Sequence, residues 1–169
     1  VTIVTAFFLN CAKLHSMKKV LVMLLIAIVL VQFVRPERND SGVRPSDIAS
    51  IYPVPADVNV ILEKACNDCH SNKTRYPWYT NIQPVGLWMQ HHVNEGKREL
   101  NFNEFASYSA KRQMHKLDKV IGMVEKNEMP LPSYTWIHKD AILTDAEKNT
   151  LIYWAKGLQQ QIKPALLQQ

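Results

Sequence analysis

The stretch DVNVILEKACNDCHSNKTRY (57–76) runs from helical periodicity into the pattern C-x-x-C-H, formed by Cys66, Cys69 and His70. Two thiols about one turn apart are compatible with a redox disulfide, half of a zinc site or a covalently attached haem. Each of these asks for a different architecture around it. The pattern therefore narrows the fold before composition is considered.

The surrounding periodicity is helical throughout. In 57–66, Val58, Ile61, Leu62 and Ala65 share one face, and Asp57 is placed as the N-terminal cap. GLWMQHHVNEGKREL (86–100) is a second helix. In 109–128, Met114, Leu117, Val120, Ile121 and Val124 fall on one side, with Pro130 as the stop. TDAEKNTLIYWAKGLQQQI (144–162) opens with Thr144 and Glu147 as a capping box and turns Leu151, Trp154, Ala155 and Leu158 inward. No period-2 strand and no internal repeat emerges. The expectation is an all-α domain over 55–163, a tail at 164–169, and a Pro-rich tether at 36–54.

That class decides among the three readings of the motif. A thioredoxin-type pair follows a strand and opens a helix, whereas the residues before Cys66 are helical. Zinc needs about four ligands, and there is no second C-x-x-C. Covalent haem uses every member: Cys66 and Cys69 as thioethers on one porphyrin edge, and His70 on the iron. Residues 36–169 contain two cysteines and both lie in the motif.

The N-terminal segment agrees with export. Four of the 20 Lys and Arg, and none of the 15 Asp and Glu, lie in residues 1–35, so the remainder carries only +1. The basic balance thus belongs to the leader and lends nothing to nucleic-acid binding. Met17-Lys18-Lys19 precedes VLVMLLIAIVLVQFV (20–34), closed by Arg35 and Pro36. A basic region feeding an apolar core is the form of an export signal. With no small-x-small cleavage site after it, 17–35 is expected to stay as a signal anchor rather than be cleaved as a signal peptide. Fifteen residues at 1.5 Å each cover roughly 22 Å, short of the ~30 Å hydrocarbon core, so flanking side chains would snorkel. Residues 1–16 read as upstream sequence ahead of a start at Met17. Cys11 lacks the neighbours of a lipid-attachment cysteine. The domain is expected on the periplasmic side of the inner membrane.

At the motif the chain resembles a known group. CNDCH near the end of a first helix, an M-P dipeptide downstream and Tyr153-Trp154 in the closing helix are similar to small class I c-type cytochromes. More narrowly, CNDCHSNKTRYPWYTNIQPV, HHVNEGKRELNFNEF and EMPLPSYTWIHKDAILTDAE, across about residues 55–158, resemble the bacterial haem-binding-domain family of exported or membrane-tethered monohaem proteins. The resemblance implies one covalent haem c.

For the second axial position the leading residue is Met129 in EMPLPSY, 59 residues after His70 as in small class I cytochromes, with Pro130 and Pro132 to stiffen its loop. His/Met ligation raises the potential, as suits an electron carrier. His92, on a face with Trp88 and Met89, is the alternative and would lower it. His91, His115 and His138 read as surface or hydrogen-bonding residues, and Met89, Met114 and Met123 as core. Trp78, Trp88, Trp136, Trp154, Tyr76, Tyr79, Tyr134 and Phe105 offer an aromatic lining. Lys97, Arg98, Lys111, Arg112, Lys116 and Lys119 read as a solvated face, or as partners for propionates or an acidic redox protein. The expected function is one-electron transfer with redox partner proteins, not enzymatic turnover. The rival classes are a peroxidase or gas sensor with an open sixth site, and a haem-stapled structural module of a membrane complex.

Overall fold

The computed structural model describes the backbone of residues 2–166 and the side chains of residues 16–166. Side chains before Ser16 and after Leu166 lie outside the described residues, and with them the readings of the 1–16 leader, of Cys11 and of the end of the 164–169 tail. Among the described residues there are seven α-helices and no strand, only an isolated bridge between Asp40 and Lys73. The all-α expectation holds.

The chain divides into two units. One takes the N-terminal segment to Glu37 together with Tyr76–Gln90; the other takes Arg38–Arg75 and the chain from His91 onward. In the first unit α1 (Thr2–Val31) leaves Leu21, Leu24, Leu25, Ile28 and Leu30 exposed on all its faces. Among the described residues no helix is long and apolar enough to cross a membrane. The side chain of Gln32 pairs with the backbone of Gln83, donating to its carbonyl and accepting from its N–H at 3.0 Å each. Arg35 donates to the carbonyl of Asn81 at 2.7 Å.

The second unit is built on α2 (Ala56–Ala65), α5 (Ala110–Glu125) and α7 (Asp145–Leu166). Leu117, Ile121 and Val124 of α5 recur at helical spacing, as do Leu151, Ala155, Leu158 and Ile162 of α7, and all are buried. Each such Leu or Ile contributes about 1.5–3 kcal/mol by leaving water. Val58, Ile61 and Leu62 bring α2 into the same core. Helix α4 (Val85–Glu99) begins in the first unit and ends in the second. The predicted cap at Asp57 is displaced: Pro55 is the N-cap of α2, and Asp57 lies in the first turn accepting from Val58 N–H at 2.9 Å. Ser109 caps α5 and the Thr144–Glu147 box caps α7.

The segment 38–54 is more than a spacer. Ile48 joins the core, Tyr52 donates to Gln113 at 2.8 Å, and Trp154 Nε1 donates to the carbonyl of Pro53 at 3.0 Å. Asn39, Asn72, Asn101 and Asn103 are buried and saturated by one another and by Ser71, Thr74, Val43, Asp47 and Lys97. Unpaired, each buried amide would cost roughly 1–3 kcal/mol, so this frame fixes the chain that leaves His70.

Candidate functional site

Cys66 ends α2 and opens the single turn α3 (Asn67–His70), which stops where Ser71 turns extended. The carbonyl of Cys66 accepts from the N–H of Cys69 at 3.1 Å and of His70 at 2.9 Å. That turn brings both thiols and the imidazole to the wall of one cavity of about 630 Å³. The size suits a cofactor site, typically ~300–1,000 Å³. Leu62, Leu100, Phe102, Val120, Leu143 and Leu151 supply its apolar lining, and Met129 belongs to the same wall.

Nδ1 of His70 stands 3.0 Å from the carbonyl oxygens of both Gly96 and Leu100. Carbonyls only accept, so Nδ1 carries the proton and Nε2 is the ring's bare nitrogen. Burial pushes His70 below the ordinary imidazole value, outweighing the two carbonyl bonds that favour the charged form. A neutral ring with its far nitrogen fixed by hydrogen bonds is what metal ligation asks of histidine. Phe102 meets the ring edge-on at 6.4 Å.

Gly96 is a functional residue that periodicity alone does not single out. A β-carbon there would lie 2.7 Å from the carbonyl oxygen of Cys69 and 2.9 Å from its Cβ, so α4 approaches the motif only because this position is bare. The visible trace of this in the sequence is a glycine interrupting a helical run.

The thiols are held protonated. Burial, with the neighbouring Cys69, pushes Cys66 up to about 12; burial, with the charge of Asp68, pushes Cys69 up to about 11.

Met129 follows the end of α5, where Asn127 takes φ 59° and ends the helix before Pro130 is reached. Glu128 N–H bonds to Met123 C=O at 2.8 Å and Asn127 N–H to Val124 C=O at 3.1 Å, a Schellman arrangement. The N–H of Met129 joins the same Met123 carbonyl at 3.3 Å. Five residues on, in α6 (Pro132–Thr135), Tyr134 donates to Asp68 Oδ2 at 2.7 Å. Burial first, then this bond, pushes the Tyr134 phenol well above its usual range.

His92 also lines the cavity, as do Met123, which had read as core, and the exposed His115. His138 stacks on Tyr134 at 4.3 Å. The aromatic lining is corrected. Trp78, Trp88 and Trp136 are exposed, and of the aromatics named from sequence only Tyr134 lines the cavity, joined by Phe102. Helix-borne Leu and Val fill that wall instead, a choice that aromatic count does not reveal. Lys116 and Lys119 line the cavity and pair with Glu99 at 3.4 and 3.3 Å. Lys97 donates to Asn39, Arg98 to Glu95, and Arg112 lies over the Tyr108 ring. Among the described residues no group of three or more His, Cys, Asp or Glu side chains is arranged to hold a metal ion, so the zinc reading gains no further ligands.

Two thiols, a neutral imidazole and a thioether around an apolar cavity fit an iron porphyrin in donor chemistry. A family model described as a haem-binding domain matches residues 26–157. No curated protein and no solved structure matches the chain.

Proposed function

The chain belongs to the haem-binding domain family, and from that premise we propose that it is a monohaem c-type electron carrier. Cys66 and Cys69 would hold the group by thioethers, and His70 and Met129 would ligate its iron. Bound haem supplies reversible one-electron chemistry at iron, at a potential raised by thioether ligation.

The observation that carries this reading is the meeting of four residues, Cys66, Cys69, His70 and Met129, at one apolar cavity. The chain's own part is preorganisation. Burial holds the His70 ring neutral, and the Gly96 and Leu100 carbonyls orient it. The apolar wall excludes water, which both raises the potential and keeps ligands from being displaced. The Schellman turn and the Met123 carbonyl fix the start of the Met129 loop. None of this requires the protein to move during turnover, which suits transfer of an electron to a redox partner protein better than catalysis.

The same proposal assigns the N-terminal apolar stretch to a membrane, leaving the cavity-bearing unit on the periplasmic side. Support comes from the side chains of residues 20–34, all of which are exposed apart from the half-buried Val31 and Gln32. An unbroken apolar surface of that kind is unfavourable in water.

His92 is the second reading for the sixth ligand, favoured by its place in the same wall. Optical and magnetic circular dichroism spectra of the purified haem protein separate the two, taken beside Met129→Ala and His92→Ala. A sulfur-to-iron charge-transfer band lost only in Met129→Ala supports the His70/Met129 carrier. A bis-imidazole spectrum lost in His92→Ala replaces Met129. A high-spin spectrum in the parent, altered by carbon monoxide, would instead support ligand binding at an open sixth site.

A further inference from the structure

Between the two motif cysteines lies a buried carboxylate, Asp68. Its oxygens are fully engaged. Oδ1 accepts from the backbone N–H of Arg75 at 3.0 Å and from its Nε at 3.2 Å; Oδ2 accepts from Arg75 Nη2 at 3.2 Å and from the Tyr134 hydroxyl at 2.7 Å. Three of these bonds are local, to a residue seven positions away. The fourth reaches across 66 residues to the segment that follows Met129.

The placement matters because of what each end carries. Asp68 is two residues from His70, and Tyr134 is five residues from Met129. Upstream, the Met129 segment is tied to α5 through the Met123 carbonyl. Downstream, the Tyr134 hydroxyl ties the segment back to the motif. A thioether is a neutral, weak donor, so its occupancy at a metal depends on how little freedom its loop must surrender.

We propose that Asp68 is a positioning residue for the sixth ligand: through Tyr134 it holds the 129–135 segment against the C-x-x-C-H turn and keeps the Met129 sulfur in place. The inference rests on the His70/Met129 reading. It assigns no contact between Asp68 and the iron.

The test uses the full-length haem protein with Tyr134→Phe, which removes only the hydroxyl, and Asp68→Asn, whose amide oxygen still accepts. Met129→Ala is the reference, and Arg75→Gln tests the local bonds alone. The readouts are the temperature at which the sulfur-to-iron band fades, the rate of carbon monoxide binding to the reduced protein, and the global unfolding midpoint. In Tyr134→Phe the band fades at lower temperature and carbon monoxide binds roughly tenfold faster or more, the worth of one hydrogen bond to a charged group. Asp68→Asn shows a smaller effect, and Arg75→Gln leaves the band as in the parent. A structural role alone would lower the unfolding midpoint without opening the sixth position. If the band is lost in Met129→Ala but Tyr134→Phe matches the parent in both band and carbon monoxide rate, the inference is overturned. If the parent has no such band, or Met129→Ala keeps it, the ligand reading itself fails and the inference goes with it.

Discussion

The carbonyl oxygen of Gly96 lies 3.0 Å from Nδ1 of His70, while a β-carbon on Gly96 would come within 2.7 Å of the carbonyl oxygen of Cys69. Gly96 thus shares with Leu100 the fixing of the imidazole tautomer and sets the distance at which α4 passes the motif.

Gly96→Ala meets backbone, which cannot swing aside as a side chain can. The expected loss is about 1–3 kcal/mol, as for overpacking elsewhere, with a lower yield of haem-loaded protein. Gly157 in α7 meets nothing within 4 Å, so Gly157→Ala gains about 0.5–1 kcal/mol from helix propensity. Denaturant midpoints of the two variants shift in opposite directions; a neutral Gly96→Ala would refute the close approach.

The buried His70 ring gives a pH dependence of known sign. Burial lowers its folded-state value, so the unfolded chain takes the proton first as the solution is acidified. The contribution is complete above an unfolded value of about 6.5 and is lost as the pH falls toward the folded one. Denaturation of the haem-free chain between pH 8 and 5 shows this as a slope that His70→Gln flattens. An unchanged slope in the variant would assign the effect to another group.

The cysteines give a chemical counterpart. Alkylation runs through the thiolate, and ordinary thiols titrate at about 8.5. With Cys66 raised to about 12 and Cys69 to about 11, haem-free protein at pH 8 reacts with iodoacetamide far more slowly than free cysteine does. Cys69 leads Cys66. Peptide mass spectrometry resolves the order, and rapid labelling of both would contradict the burial that protects them.

Glu147 joins two helices. It accepts from the Thr144 N–H at 2.8 Å and from Lys64 Nζ of α2 at 2.5 Å, and the Lys64 bond above all holds its carboxylate below the usual range. Its stabilisation is present above the ordinary value of 4.5 and is lost as the pH falls through the folded value. Thr144→Ala costs about 0.5–2 kcal/mol as a lost cap. Glu147→Gln costs less at pH 7, and its deficit against the parent shrinks as the pH drops toward 3. Thermal midpoints across that range check the sign.

What sequence could reveal divides along the range of the interaction. The Thr144–Glu147 cap and the apolar rows of α5 and α7 were legible because each depends on residues three or four apart. The end of α5 was misjudged by a short distance: Pro130 looked like the stop, but Asn127 reaches the left-handed region first. The acceptors for His70 were invisible, since they are backbone carbonyls that any residue possesses. Asp68 was hidden for another reason. Its partner Tyr134 is 66 positions away, and nothing local distinguishes it from a solvated aspartate in a turn.

The Tyr134–Asp68 bond also bears on assembly. The wall that Met129 and Tyr134 contribute is tied to the cysteine turn through the Tyr134 hydroxyl. If haem joins Cys66 and Cys69 as proposed above, that bond belongs to the last stage of assembly, because it closes the segment carrying Met129 onto the turn carrying the thiols.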